Sequence, residues 1–292
     1  MRAFVIGNVA LDETIEVADL PAPGASIHGR AALRDLGGKG ANQAVVLGRA
    51  GVRCVFGAAV GDDLRGNDIR ARLLREPLDL RLAVMAGVAS DFSIVLRTQS
   101  GENANITTTE SAGGLPPDLA IQMLDGAERC DLLVVQGNLS GPTTLGVLER
   151  AKAMGLRTAL NPSPMGAFMG DVLRLVDMVF VNEGEAQALG GPDALMAKGV
   201  GQVVLTLGPA GARLYGNGVV HVPAHTCRVV DTTGAGDCFM ATTLASAQLR
   251  GTGLDARALG HAARAAAIAV SRPGTARAFP TVTEMAAIMA QA

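Results

Sequence analysis

The chain lacks the residues that would build a disulfide framework or a structural metal site. Its 292 residues include four widely spaced cysteines, Cys54, Cys130, Cys227 and Cys238, with no C-x-x-C pair. They read as reduced thiols in apolar surroundings, which implies a reducing, cytoplasmic location. The four histidines, His28, His221, His225 and His261, offer no zinc set, because Pro223 interrupts the one pair at helical spacing. An excess of one charge is also missing. With 25 Lys plus Arg against 27 Asp plus Glu the formal net charge is −2, which argues against general affinity for nucleic acid or an anionic membrane and leaves small soluble partners. No apolar stretch approaches the ~20 residues of a membrane span; the most apolar helical run, His261 to Val270, is broken by Arg264. The run Met1 to Gly7 is too short for a signal peptide and is expected to be a first buried strand. No G-x-S-x-G nucleophile elbow is present.

What the chain does have is a regular alternation of short apolar runs with segments of helical length, the signature of a βαβ chain and a mostly parallel sheet. Strands are expected at Phe4 to Gly7, Cys54 to Val60, Leu132 to Gln136, Thr158 to Asn161, Met178 to Val181 and Val203 to Leu207. Helices are expected at Ala41 to Ala50, Leu64 to Arg75, Pro117 to Gly126, Pro142 to Met154 and Ala186 to Leu189. Two regions break the rhythm, Asp12 to Leu36 and Phe92 to Thr109, the latter around a turn at Ser100-Gly101-Glu102-Asn103. Both suggest strands outside the main sheet, forming a lid over a site at the carboxyl ends of the parallel strands. No linker or repeat marks a second independent domain, so residues 1–292 read as one α/β unit with lid strands from about 12–36 and 92–109.

The stretch with the clearest chemistry is Val229 to Phe239. A polar, glycine-rich turn sits between an extended segment, His225 to Val230, and an apolar helical run, Ala235 to Leu249, which places backbone amides at a helix start, where anions bind. Asp237 stands where a proton acceptor would meet a bound phosphate, which suggests phosphoryl transfer. A second cluster, Gly37-Gly38-Lys39-Gly40-Ala41-Asn42, fails as a nucleotide P-loop because Leu33 occupies the first glycine position and Gly40 follows Lys39. A dinucleotide fingerprint at Gly234-x-Gly236 fails at Phe239. The cluster reads either as a tight strand-to-helix turn or as a close backbone approach to a small ligand, with Lys39 and Asn42 as hydrogen-bonding groups.

Gly37 to Ala44 together with Asp231-Thr232-Thr233-Gly234-Ala235-Gly236-Asp237 resembles the paired signatures of the ribokinase family of carbohydrate kinases. Asn182-Glu183-Gly184-Glu185, Leu205 to Gly211 and Ser271-Arg272-Pro273-Gly274 match further elements in the same order. The resemblance covers essentially the whole chain. It implies a Rossmann-like sheet with a small β lid, ATP near the carboxyl-terminal half, and sugar between sheet and lid. By position, Asp237 is implied as catalytic base and the amides of Gly234, Ala235 and Gly236 as anion hole. Asp12, Gly38, Lys39, Asn42, Asn138 and Asp231 are implied on the acceptor side, and Asn182, Thr206, Gly208, Gly211 and His261 on the nucleotide side. Glu185 is implied to act on Mg2+ through water. Asp231, Thr233, Ala269, Arg272 and Gly274 match a potassium-binding segment, although Ala278 stands at its hydroxyl-bearing position. The pattern also departs at Ala10, where an asparagine is expected, and at Asn138, where a glutamate is expected. The reading is an ATP-dependent kinase acting on a primary hydroxyl of a small sugar. A nucleoside kinase or a non-catalytic sugar- or nucleotide-binding regulator on the same fold remains an alternative. A homodimer through the lid strands is expected, with Phe92 to Leu96 alternating so as to present an apolar face.

Overall fold

A computed structural model describes residues 1–98 and 103–291. The central strands β1 (Ala3–Ile6), β4 (Cys54–Gly61) and β8 (Leu132–Gln136) are apolar runs buried along their whole length, as strands covered on both faces must be. The alternation of the strand splits each run between two cores. Ala3 and Val5 pack with Leu132 and Val134 under the helices Lys39–Arg49, Ala235–Arg250 and Ala256–Val270. Phe4 and Ile6 pack with Leu133 and Val135 against the helices Pro117–Gln122 and Gly141–Met154 on the other face.

Two sheets result. With β2 (Ala10–Val17), β3 (Gly29–Gly37), β5 (Leu78–Met85), β6 (Phe92–Thr98), β7 (Asn103–Thr107), β9 (Arg157–Asn161), β10 (Met178–Asn182), β11 (Gln202–Thr206), β12 (Ala212–Gly216) and β13 (Gly218–Val222), the nine-stranded sheet runs β13-β12-β11-β10-β9-β8-β1-β4-β5 and the smaller one β3-β2-β6-β7. All pairings in the large sheet are parallel except those of β11 with β12 and β12 with β13. In the small sheet β2 pairs parallel with β6 and antiparallel with β3. The two regions that broke the sequence rhythm thus pair with each other, as the lid reading requires. Most of the turn expected at Ser100 to Asn103 lies outside the described residues.

Three expectations need correction. Residues 223–230 are exposed and join no ladder; Pro223 ends β13 and the chain then runs as a loop. Cys130 and Cys227 are exposed, and only Cys54 and Cys238 are buried. The short helix expected from Ala186 begins at Glu183, because Asn182 and Glu185 close a capping box over its first turn. The edge strand β5 and the hairpin β12-β13 carried too little apolar continuity to be read beforehand.

Candidate active site

The chain reverses at the carboxyl ends of β1, β8, β9, β10 and β11, and functional side chains gather there. After β1 comes Asn8, whose Oδ1 accepts from Gly40 N at 3.2 Å and whose carbonyl accepts from Ala41 N at 3.0 Å. This docks the helix Lys39–Arg49 onto the strand end. The contact needs glycine: a Cβ at Gly38, where φ is +90°, would lie 2.8 Å from Val9 Cα. The cluster is therefore a tight turn, and the turn delivers Lys39, Asn42 and Gln43 to the site.

The helix Ala235–Arg250 starts at Gly234, with φ 73° and no side-chain cap. Ala235 N closes a turn onto Thr232 O at 3.2 Å, so it does not contribute freely to an anion hole as the sequence implied. Among the described residues the amides of Gly234, Gly236 and Asp237 have no protein acceptor. A Cβ at Gly236 would meet nothing within 4 Å, so the first turn faces open space. Free amides at a helix start, reinforced by the helix dipole, are the geometry that suits an anion.

Asp237, 5% exposed, is held on both oxygens. Asn42 Nδ2 donates to Oδ2 and Gln43 Nε2 to Oδ1, each at 2.9 Å. Asp237 lines a cavity of about 240 Å³ together with Lys39, Asn161, Asn182, Glu185, Gly234, Ala235 and Gly236. Lys39, expected beside the sugar, is thus in the wall of the cavity that the anion-binding turn faces. Asn161 and Met240 also line it and were missed. Asn161 ends a strand pointing at the site, a placement that only the sheet order reveals.

A larger cavity of about 540 Å³ adjoins the first and shares Thr206, Thr232, Ala235 and Gly236 with it. Thr206, Gly208 and Gly211 line it, as expected, with Cys227 and Val229 from the exposed loop. One wall is the face Ala263, Ala266, Ala267 and Val270, a stripe at helical spacing whose small side chains leave room for a flat ring. His261 does not line this cavity. It is 2% exposed, with Nδ1 2.8 Å from Ser246 Oγ and Nε2 3.1 Å from Gln291 O. Burial lowers its pKa, with nearby Arg257, Arg250 and Arg264 adding to the effect. It is a satisfied core histidine.

Asn182 Oδ1 accepts from Glu185 N at 2.8 Å and Glu185 Oε2 accepts from Asn182 N at 3.0 Å. The capping role and the cavity-lining role coexist, because Glu185 Oε1 is left for other partners. No group of three or more His, Cys, Asp or Glu side chains able to hold a metal occurs among the described residues. A single carboxylate oxygen suits an ion that takes most ligands from phosphates and water, as Mg2+ does.

On the acceptor side, Asp12 is buried in β2, and its Oδ2 accepts from Thr275 Oγ1 at 2.9 Å. Its pKa is raised, chiefly by burial, with Asp35 and Asp237 adding and the hydrogen bonds from Ser93 and Thr275 opposing. Thr275 N donates to Asp35 Oδ2 at 3.0 Å, so one residue ties both lid strands to the carboxyl-terminal loop. Asn138 Oδ1 and Asn42 Oδ1 are buried without a protein partner, an arrangement that a ligand hydroxyl would relieve. Ala10 is fully buried opposite Gly37.

Asp231 Oδ1 accepts from Thr233 N and Oγ1, and Oδ2 accepts from Gly274 N at 3.2 Å. Arg97 Nη1 lies 3.7 Å from Oδ2. Arg272 N donates to Ala269 O, while the Arg272 guanidinium pairs with Glu284 and holds that carboxyl down to about 2. The matched segment is drawn together, yet Asp231 is already met by three donor groups and a guanidinium. These residues fit a potassium ion poorly in this arrangement.

The model of the pfkB family carbohydrate kinases matches residues 2–282. The ribokinase of Bacillus subtilis is 29% identical over 96% of this chain and 97% of its own. The structure of Giardia lamblia ribokinase superposes with a TM-score of 0.88 at 27% identity, covering 99% of this chain and 98% of that one. An Escherichia coli chain solved with ATP and Mg2+ superposes at 0.82 with 25% identity, covering 99% and 98%. The two glycine turns that meet at Asp237, the capped Asn182/Glu185 turn and the match over nearly the whole length agree, and the chain belongs to the pfkB family of carbohydrate kinases.

Proposed function

We propose that this ATP-dependent sugar phosphotransferase acts on a primary hydroxyl of a small neutral sugar of the ribose class. The observation that carries the reading is the placement of Asp237, fixed by two amides at the wall of a phosphate-sized cavity that opens into a nucleotide-sized one. The acceptor hydroxyl gives its proton to an Asp237 oxygen as its own oxygen bonds to the γ-phosphorus. The bond to the β,γ-bridging oxygen breaks, and ADP leaves with that oxygen. Lys39 and the Gly234, Gly236 and Asp237 amides stabilise the charge on the transferring group, where most of the catalysis resides. Mg2+ held near Asn182 and Glu185 would neutralise phosphate charge. Potassium is assigned no step.

A neutral acceptor is favoured by the lid cations. Arg30 and Arg97 pair with Glu16, and Arg34 lies near Glu13 and Asp68. Each has an acidic partner, which argues against a phosphorylated acceptor. The buried carboxylate of Asp12 and the unpartnered amide oxygens of Asn42 and Asn138 match sugar hydroxyls. A nucleoside acceptor is not favoured, since relatives matched over nearly their full length include ribokinases and deoxyribokinases, which act on free sugars. A binding-only regulator would not need a base held on both oxygens.

The test is coupled ADP release across pentoses, hexoses, sugar phosphates and nucleosides. Turnover is expected with neutral pentoses or hexoses and not with sugar phosphates. No turnover with any acceptor, despite measurable ATP binding, would overturn the kinase reading.

The half-buried Phe92, Ile94 and Leu96 and the exposed Ile106 on β7 support a homodimer through the lid. Light scattering is expected to give twice the chain mass of 29.7 kDa. Among the described residues no helix is long and apolar enough to cross a membrane.

A further inference from the structure

The carboxylate of Asp237 is the end of a buried chain of carboxamides. Gln43 Nε2 donates to Asp237 Oδ1 at 2.9 Å, and Gln136 Nε2 donates to Gln43 Oε1 at 2.7 Å. Both glutamines are fully buried. Their polarity costs folding free energy unless it is paired. Space is kept for them: a Cβ at Gly7 would lie 1.9 Å from Gln136 Oε1. The far end of the chain is left open, because Gln136 Oε1 has no partner among the described residues.

The direction of these bonds follows from chemistry. An ionised carboxylate only accepts, so Gln43 must turn its NH2 toward Asp237 and its oxygen toward Gln136. Gln136 must then donate. The strand end and the close approach of Gly7 fix where the Gln136 amide lies, and its one hydrogen bond, donated to Gln43 Oε1, favours the Gln43 orientation that donates to Asp237. A Gln43 amide turned over would set its oxygen against Asp237 Oδ1, two acceptors facing each other with no proton between them.

We propose that Gln43 and Gln136 are positioning residues for the reaction: the strand-anchored Gln136 steadies the Gln43 amide, which holds the Asp237 carboxylate aimed at the acceptor hydroxyl. Neither touches the reacting atoms. The inference rests on Asp237 being the base.

The test uses Gln43→Met and Gln136→Met, which conserve length and remove the donors, with kcat, the ATP KM and Tm as readouts. A bond donated to a charged acceptor accounts for about ten- to a hundredfold. Gln43→Met is expected to lower kcat by about that factor and to leave the ATP KM unchanged. Gln136→Met is expected to act in the same direction and more weakly, and to add nothing in the Gln43→Met background, because its effect passes through Gln43. A merely structural pair would lower Tm with kcat unmoved. That result, or additive effects in the double variant, overturns the proposal.

Should either variant fail to fold, side-chain amide NMR of the native enzyme gives the answer. The Gln43 and Gln136 NH2 resonances are expected to shift together when Asp237→Asn removes the carboxylate. A shift confined to Gln43 sinks the relay. Turnover retained by Asp237→Asn sinks the base assignment itself, so the two failures are distinguishable.

Discussion

Asp237→Asn is expected to lower turnover by about 10²–10⁴-fold, the usual worth of a general base, while acceptor affinity stays within about tenfold. The substitution keeps the shape of a group that is 5% exposed and removes one of its two acceptors. One donor then faces the new NH2, and Asn42 can relieve the conflict by turning over, since its Oδ1 is buried with no partner to lose. Folding should survive, and the change should fall on kcat. Isothermal titration with the acceptor identified in the panel, together with ADP release, separates the two quantities. Turnover within a fewfold of the parent would contradict the assignment.

Asp12→Asn is expected to raise the acceptor KM by about 10²-fold, because two charge-assisted hydrogen bonds to sugar hydroxyls are weakened. It should also stabilise the protein at neutral pH. The folded-state pKa of Asp12 is raised above its ordinary 3.8 by burial, with Asp35 and Asp237 adding. A raised pKa means that its favourable contribution is complete below 3.8 and is lost as pH rises through the folded value. Asparagine does not ionise, so the variant escapes that loss. The variant's Tm should match the parent's near pH 3.8 and exceed it at pH 7. A lower Tm at pH 7 with unchanged KM would show Asp12 to be purely architectural.

These two carboxylates were legible in the sequence for different reasons. Asp237 announced itself through local chemistry, a glycine turn opening a helix, and the structure adds only who holds it. Asp12 was reached through resemblance alone, for nothing around it in the chain differs from an ordinary strand. The parallel sheet was legible because its strands are continuous apolar runs, whereas β5 and the β12-β13 hairpin, half exposed, were not. His261 misled because a histidine on a helix bordering a cavity carries no sign of which face it occupies; Ser246 and the Gln291 carbonyl decide that. Gln43 and Gln136 were invisible as partners because 93 residues separate them, and only the docking of a helix onto β8 brings them together.

The stripe of Ala263, Ala266 and Ala267 that walls the larger cavity has a consequence for selectivity. Methyl groups discriminate by outline, and an apolar surface separates near-isosteric rings only weakly. That wall sets size and flatness without a hydrogen-bonding group, so the reading of a ring's edge is left to the polar lining from Thr206, His225, Thr226 and Thr232.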